Sequence, residues 1–374
     1  MWSTWCLRLA LASLLIGSGA VADEVRVGLA NPFSGPLATS GEQNRVTADL
    51  AVRSLNERGG VLGQQVRLIA VDDGCDVERA AAAALELVKA GVRAVIGHMC
   101  SQASLIAAPA YEAVGIPMLT PDSTHPRLTE EGRPNVFRLT GRDDDQGRLA
   151  GGWLAGLKPA RPIAIVHDGS TYGSGLAWQT REELHRNGGH EALFETYLPG
   201  APDYGGLIDQ LAQHAIGVLY IAGYGPDAGR IVRQARERGL DLLVAGGDGL
   251  SAPEFWTAAG EAGEGTRFSA RPDPSSSPAA VAVIEALKAL GIPMPGTSLG
   301  AYAAVQVWAE AARRAGSTDA EAVTAALHRG RFDTVLGRVT FDQQGDLIGA
   351  SWRWRVWRQG SQVALPPTLA MQLR

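Results

Sequence analysis

The sequence predicts an α/β protein built as two doubly wound parallel-sheet lobes. Three observations carry that prediction. Short β-branched runs alternate with longer helical ones, the alternation occurs as two consecutive series, and glycines stop most of the longer runs. With 374 residues and an apolar fraction of 45%, the chain is long enough for two separate cores.

The first series has predicted strands at 25–29, 66–71, 94–96, 117–119 and 136–139. Predicted helices at 41–58, 77–90 and 101–114 lie between them. Ser40 with Gln43 reads as a capping box for the first helix, and Gly59-Gly60 and Gly91 end the first two. The second series has strands at 163–167, 193–197, 218–222 and 242–245, with helices at 172–187, 204–213 and 227–238. Gly188-Gly189 and Gly239 act as stops there. Beyond a Pro/Ser loop at 272–278, helices are predicted near 279–290, 299–314 and 319–327, followed by an antiparallel pair around 337–341 and 351–358. Those helices have apolar faces that need a sheet, which chain passing back between two lobes would supply.

Residues 1–22 read as a secretory signal: one cation (Arg8), a short apolar run at 9–16 and the small-x-small site Ala20-Val21-Ala22. Cys6 has no lipid-attachment motif around it. Cleavage after Ala22 removes Arg8 and no acid, taking the formal charge from −5 to −6. That balance gives no basic footprint for nucleic acid. No later segment is apolar enough to span a bilayer. A periplasmic protein, cut off from cytosolic ATP and NAD, is expected.

Cleavage leaves two cysteines, Cys75 and Cys100. In an oxidising compartment they read as a bridge closing a loop of 25 residues, worth roughly 3 kcal/mol in the loop-entropy model. The competing reading is a nucleophilic Cys100 with His98 two residues away.

In open parallel sheets, ligands bind beyond the carboxyl ends of the strands. Here those ends carry Gly97-His98-Met99-Cys100-Ser101, Thr120-Pro121-Asp122-Ser123-Thr124, Asp168-Gly169-Ser170-Thr171-Tyr172, Gly223-Tyr224-Gly225 and Gly246-Gly247-Asp248-Gly249. Hydroxyls and N–H groups at helix starts suit a carboxylate, and Asp248 suits an ammonium. Together they describe a site for a small zwitterion.

These segments, with Asp72-Asp73-Gly74-Cys75-Asp76, Thr140 to Gly147 and Asp333 to Gly337, resemble the periplasmic leucine/isoleucine/valine-binding proteins of ABC transporters. The resemblance runs in order along nearly the whole mature chain. It implies a type I periplasmic binding fold with a three-strand hinge near Thr140, Thr266 and Gly349, lobe 1 comprising 23–140 plus 267–349 and lobe 2 comprising 141–266 plus 350–374. It implies an amino-acid ligand delivered to an ABC permease by a monomer, and the same Cys75–Cys100 bridge. Carried over residue by residue, the ligand carboxylate would meet Ser101, the Thr124 N–H and Tyr224. The ammonium would meet the Asp122 carbonyl, the Thr124 hydroxyl and Asp248, with Ser123 in the same loop and Tyr172 covering the ligand.

Three departures bear on the side-chain pocket. Asp248 stands where the family has Glu, Asp122 where it has a small apolar residue, and Ser40 where it has an aromatic. The segment ending at Leu299 also lacks the family's aromatic residues. Ser40 and Leu299 are therefore candidate pocket residues, altered from an aliphatic reader. Blander readings stand beside these: Ser40 as an N-cap, Asp122 paired with Arg127 or His125, Tyr172 and Tyr224 as interface aromatics.

Two other functions remain open at this level. Gly223 to Gly229 followed by Asp248 approximates a dinucleotide fingerprint, but the spacing is one residue too long and Pro226 interrupts it. A ligand-sensing co-receptor for a membrane sensor would use the same fold. The one G-x-S-x-G match, Gly296 to Gly300, follows a predicted helix and not a strand, so it is no nucleophile elbow, and H-E-x-x-H does not occur; no catalytic activity, cofactor or metal is expected.

Overall fold

The computed structural model describes residues 24–157, 161–292 and 295–366. The predicted signal segment, 1–22, lies outside the described residues, as does the end of the second lobe beyond 366.

The first run of elements is β1 (Glu24–Asn31), α1 (Ala38–Glu57), β2 (Gln65–Asp72), α2 (Val77–Lys89), β3 (Val95–Gly97), α3 (Ser101–Glu112), β4 (Met118–Thr120), α4 (Arg127–Glu130) and β5 (Val136–Arg138). Its five strands form a parallel sheet in the order β2-β1-β3-β4-β5. The second run is α5 (Asp143–Gly156), β6 (Ile163–His167), α6 (Thr171–Arg186), β7 (Leu193–Thr196), α7 (Gly205–Gln213), β8 (Val218–Ala222), α8 (Gly225–Glu237), β9 (Leu243–Gly246), α9 (Pro253–Ala259) and β10 (Arg267–Ala270). The last run is α10 (Pro278–Ala289), α11 (Pro295–Ala315), α12 (Ala320–Arg329), β11 (Phe332–Thr334), β12 (Gly337–Val339), β13 (Arg353–Arg358) and β14 (Ser361–Ala364). The second sheet has the order β14-β13-β10-β9-β8-β6-β7. It is parallel from β7 to β10 and antiparallel from β10 through β13 to β14.

Side-chain chemistry starts the helices where the sequence signals it. Asp76 accepts the Arg79 N–H at 2.9 Å ahead of α2, and Ser170 accepts the Gly173 N–H at 2.9 Å ahead of α6. Strands β6 and β8 are buried throughout, as continuous apolar strands covered by helices on both faces must be.

The core explains the late helices. Leu287, Leu299 and Trp308 pack in one cluster with Val27, Leu29 and Ile96, so α10 and α11 cover the first sheet. Trp357 then joins the second sheet's core with Leu219 and Phe268. Leu299 is thus fully buried in the first core and does not line the cavity described below, contrary to its expected pocket role.

Three other expectations are corrected. Residues 267–270 pair with β9 and β13, so the return to the first sheet follows Ala270 and does not begin at 267. The predicted pairing of 337–341 with 351–358 does not form. Strand β12 pairs with β11, and β13 is recruited by the open edge of β10. Helix α1 begins at Ala38, so Ser40 lies inside its first turn instead of capping it.

The chain passes between the sheets beside a buried charge network. Arg138 Nε donates to Asp346 Oδ1 at 2.7 Å, and Arg142 Nη1 donates to Asp346 Oδ2 at 3.1 Å. Trp352 Nε1 donates to the Arg142 carbonyl at 2.9 Å, tying the first passage to the last.

Candidate functional site

Both sheets change winding direction, the first between β1 and β3, the second between β6 and β8. The loops leaving the carboxyl ends of those strands and their neighbours face one another across a cavity of about 600 Å³. Of the sequence-predicted residues, Ser40, Ser101, Asp122, Thr124, Tyr172, Tyr224 and Asp248 all line it.

Ser101 is the first residue of α3, buried, with its Oγ 3.4 Å from the His125 N–H. Thr124 is buried beside it, and its carbonyl accepts the Asp143 N–H at 3.0 Å. Ser123 is not a lining residue. Its hydroxyl lies 2.5 Å from Ser104 Oγ and donates to the His98 and Met99 carbonyls, so it braces the loop from behind.

Asp248 is the centre of the opposite rim. Its Oδ1 accepts from the Tyr172 hydroxyl at 2.8 Å and from Gln146 Nε2 at 3.1 Å. Its own N–H donates to Gln146 Oε1 at 2.7 Å, and the Gly249 N–H donates to the Tyr172 hydroxyl at 3.0 Å. Glycine is required on either side of Asp248. A Cβ on Gly247 would come within 2.5 Å of the Tyr172 oxygen, and one on Gly249 within 2.4 Å of the Gly223 carbonyl. Burial pushes the Asp248 carboxyl above its ordinary range, against the lowering effect of the Tyr172 and Gln146 hydrogen bonds. Asp143, fully buried behind it, is raised further, by burial and then by the Asp248 charge. Tyr172 is held protonated by burial and by the same charge.

Tyr224 closes the cavity with its ring 5.2 Å from that of Tyr172. Its hydroxyl donates across the cleft to Gln102 Oε1 at 3.5 Å.

Asp122 does not pair with Arg127 or His125. Arg127 is engaged by Glu131, and His125 Nδ1 accepts the Arg127 N–H. Instead Asn44 Nδ2 donates to Asp122 Oδ2 at 2.8 Å, and Arg271 Nη2 approaches Oδ1 at 3.5 Å. Burial raises the Asp122 carboxyl while Arg271 and Asn44 oppose the rise.

Ser40 reaches across the cleft. Its N–H and hydroxyl donate to the two carboxylate oxygens of Glu254 at 2.7 and 2.8 Å. The first-turn N–H groups of a helix have no partner within it, and a carboxylate there is favoured by the helix dipole. The second lobe therefore supplies the cap that the sequence assigned to Ser40 itself.

Cys75 and Cys100 are bridged, with Cα atoms 5.4 Å apart. His98 lies between Asp73 Oδ2, 2.7 Å from its Nδ1, and the Tyr111 hydroxyl, 3.0 Å from its Nε2. It is a buried structural residue, and the nucleophilic reading of Cys100 fails. The glycines of the dinucleotide-like segment also have another use. A Cβ on Gly225 would meet the Phe255 nitrogen at 2.8 Å, and one on Gly229 the Phe255 carbonyl at 2.5 Å. They let α8 and α9 pack closely.

Sequence reasoning missed Asn44, Gln146, Glu254 and Arg271. Gln146 sits in the quoted stretch from Thr140 to Gly147 but was given no role. Arg271 follows a strand whose short run, Arg267–Ala270, has no distinguishing periodicity.

The chain matches the periplasmic binding protein family over residues 24–360. It is 35% identical over 353 residues to Leu/Ile/Val-binding protein homolog 1 of Brucella melitensis, covering 94% of this chain and 95% of that one. It is 36% identical over 339 residues to a leucine-, isoleucine-, valine-, threonine- and alanine-binding protein of Pseudomonas aeruginosa, covering 90% and 91%. Among solved structures it resembles the leucine-binding protein LivK of Thermotoga maritima, with a TM-score of 0.84, 29% identity and coverage of 91% and 98%. It also resembles LivJ of Streptococcus pneumoniae, solved with isoleucine, with a TM-score of 0.84, 26% identity and coverage of 92% and 100%.

Proposed function

This chain belongs to the periplasmic binding protein family, and from that premise we propose that it captures a free α-amino acid between its lobes and delivers it to an ABC permease. The reading rests on Asp248, a carboxylate lining an interlobe cavity whose hydrogen-bond donors, Tyr172 and Gln146, are both neutral. A buried carboxylate whose hydrogen bonds come from neutral groups favours a cationic ligand group, here the α-ammonium. Across the cavity, the start of α3 at Ser101 and the hydroxyl and N–H of Thr124 receive the α-carboxylate. Tyr172 and Tyr224 cover the ligand from the second lobe.

Closure joins the lobes through Ser40 with Glu254 and through Arg271, whose Nη1 donates to the Pro121 carbonyl at 2.7 Å. It also excludes water from the charged contacts, which strengthens them. The protein acts outside the cytoplasm, after removal of residues 1–22, as a monomer without catalytic activity.

The test uses ligand-stripped protein and matched trios: an α-amino acid, the acid lacking its ammonium and the amine lacking its carboxylate. Ligand at about 100 times Kd adds roughly 2.7 kcal/mol of stability. Only the intact zwitterion should raise the melting temperature. Equal shifts from the des-amino acids would overturn the assignment of Asp248.

A further inference from the structure

We infer that the side-chain compartment of this cavity selects a neutral amino acid whose side chain both donates and accepts hydrogen bonds, an amide or a hydroxyl, over a branched aliphatic one. The inference rests on the amino-acid reading above and adds the identity of the side chain.

The wall beside the zwitterion groups is polar. Asn44, Asp122 and Ser298 line it from the first lobe, with Ser40 at its edge, and Arg271 joins them where the chain leaves β10. These groups are held in fixed directions. Asn44 Nδ2 donates to both Asp122 Oδ2, at 2.8 Å, and Asn31 Oδ1, at 3.0 Å, which orients its Oδ1 as an acceptor. Arg271 Nη1 donates to the Pro121 carbonyl at 2.7 Å, and its Nη2 lies 3.5 Å from Asp122 Oδ1. Ser298 is fixed by the Thr47 hydroxyl at 2.8 Å. Leu37 and Met99 provide apolar surface for the ligand's methylenes, but the end wall presents an acceptor, Asp122, next to a donor, Arg271.

That pair is electrically balanced and sits close enough to act on Asp248, Arg271 lowering its carboxyl and Asp122 raising it. An ammonium side chain would compete with Arg271 for Asp122, and a carboxylate would compete with Asp122 for Arg271. Either leaves a buried charge without its partner. A branched aliphatic chain shields Asn44, Asp122 and Arg271 from solvent and returns no hydrogen bond to them. A side-chain amide satisfies both members, its N–H₂ on Asp122 and its carbonyl on Arg271. A hydroxyl does so with one atom. Each polar group left unmatched lowers affinity on the order of 10–100-fold.

Calorimetric titration of the ligand-stripped protein with L-glutamine, L-asparagine, L-serine, L-threonine, L-leucine, L-valine, L-lysine and L-glutamate tests this. The tightest ligand should come from the amide or hydroxyl set, on the order of 10–100-fold tighter than leucine. Asp122→Ala should erase that preference by weakening the polar ligand and strengthening leucine. Asp122→Asn, which keeps the shape should the alanine variant fail to fold, should narrow the preference in the same direction. Leucine or valine binding as tightly as the polar set would overturn the inference and leave the amino-acid reading intact. So would lysine or glutamate binding tightest, or an Asp122→Asn profile like the wild type's. Failure of every amino acid to bind a cooperatively folded protein would overturn both.

Discussion

Two buried charged regions of this molecule are built on opposite plans. Where the chain passes between its lobes, Asp346 is held by both Arg138 and Arg142, and Arg142 also binds Glu130 and Asp144. In the cleft, the hydrogen bonds to Asp143 and Asp248 come from the neutral Gln146 and Tyr172, and burial lifts both carboxyls above their usual range against the more distant charges of Arg138 and Arg271. Charge that serves the fold is neutralised within the fold. A buried carboxylate that accepts hydrogen bonds from neutral groups is poised for a cation from outside, and on the proposed function the α-ammonium is that cation for Asp248.

The comparison breaks most visibly at Asp346. Asp346→Ala takes the carboxylate partner from the fully buried Arg138 and one of three from Arg142, and should destabilise the ligand-free protein by about 3–5 kcal/mol in urea denaturation. The reverse asymmetry is expected in the cleft. Asp248→Ala should leave the denaturation midpoint within a few tenths of a molar of wild type, yet cost about 2–5 kcal/mol of amino-acid affinity by calorimetry. If Asp248→Ala unfolds the protein while Asp346→Ala does not, the contrast is wrong.

A smaller effect is expected where the lobes touch. Glu254→Ala removes the two hydrogen bonds that Ser40 donates across the cleft. It should weaken affinity by about 1.5–3 kcal/mol, mostly through faster ligand release in stopped-flow measurements. Stability of the ligand-free protein should be unchanged.

The smallest effect carries a sign. A carboxyl whose folded pKa is raised favours the fold fully below its unfolded pKa, and that contribution is lost as pH rises through the folded value. Asp143→Asn mimics the neutral acid at every pH. The variant should match wild type near pH 4 and be the more stable of the two at pH 8. Ligand binding follows the same linkage. An ammonium beside Asp248 favours the ionised form, so binding in mildly acidic buffer should release protons. Titrations in buffers of different ionisation enthalpy measure that release; proton uptake would mean that Asp248 does not meet the ammonium.

Much of the architecture was legible in the sequence because its signals are local. Strands β6 and β8 coincide with their predicted spans, and α2 starts at Val77 because Asp76 caps it there. The strand-end residues Ser101, Asp122, Thr124, Tyr172, Tyr224 and Asp248 could be named because a parallel sheet exposes the same end of every strand to the same cleft. The errors are equally physical. Ser123 and Leu299 have the right neighbours in sequence, but loop and helix geometry turns them into hydrogen bonds and core. Strand β13 has the periodicity of an antiparallel partner, yet periodicity does not say which edge is open, and β10 offered one.

The sequence by itself therefore determined the alternation of strands and helices, the helix stops and the polar residues at the strand ends, since each follows from spacing over a few residues. Tertiary structure decided which partners those residues meet. Ser40 with Glu254, Asp122 with Arg271, and Asp248 with Gln146 are 214, 149 and 102 residues apart in the chain. Their pairing depends on how two independently wound sheets face each other, and no local pattern encodes that geometry.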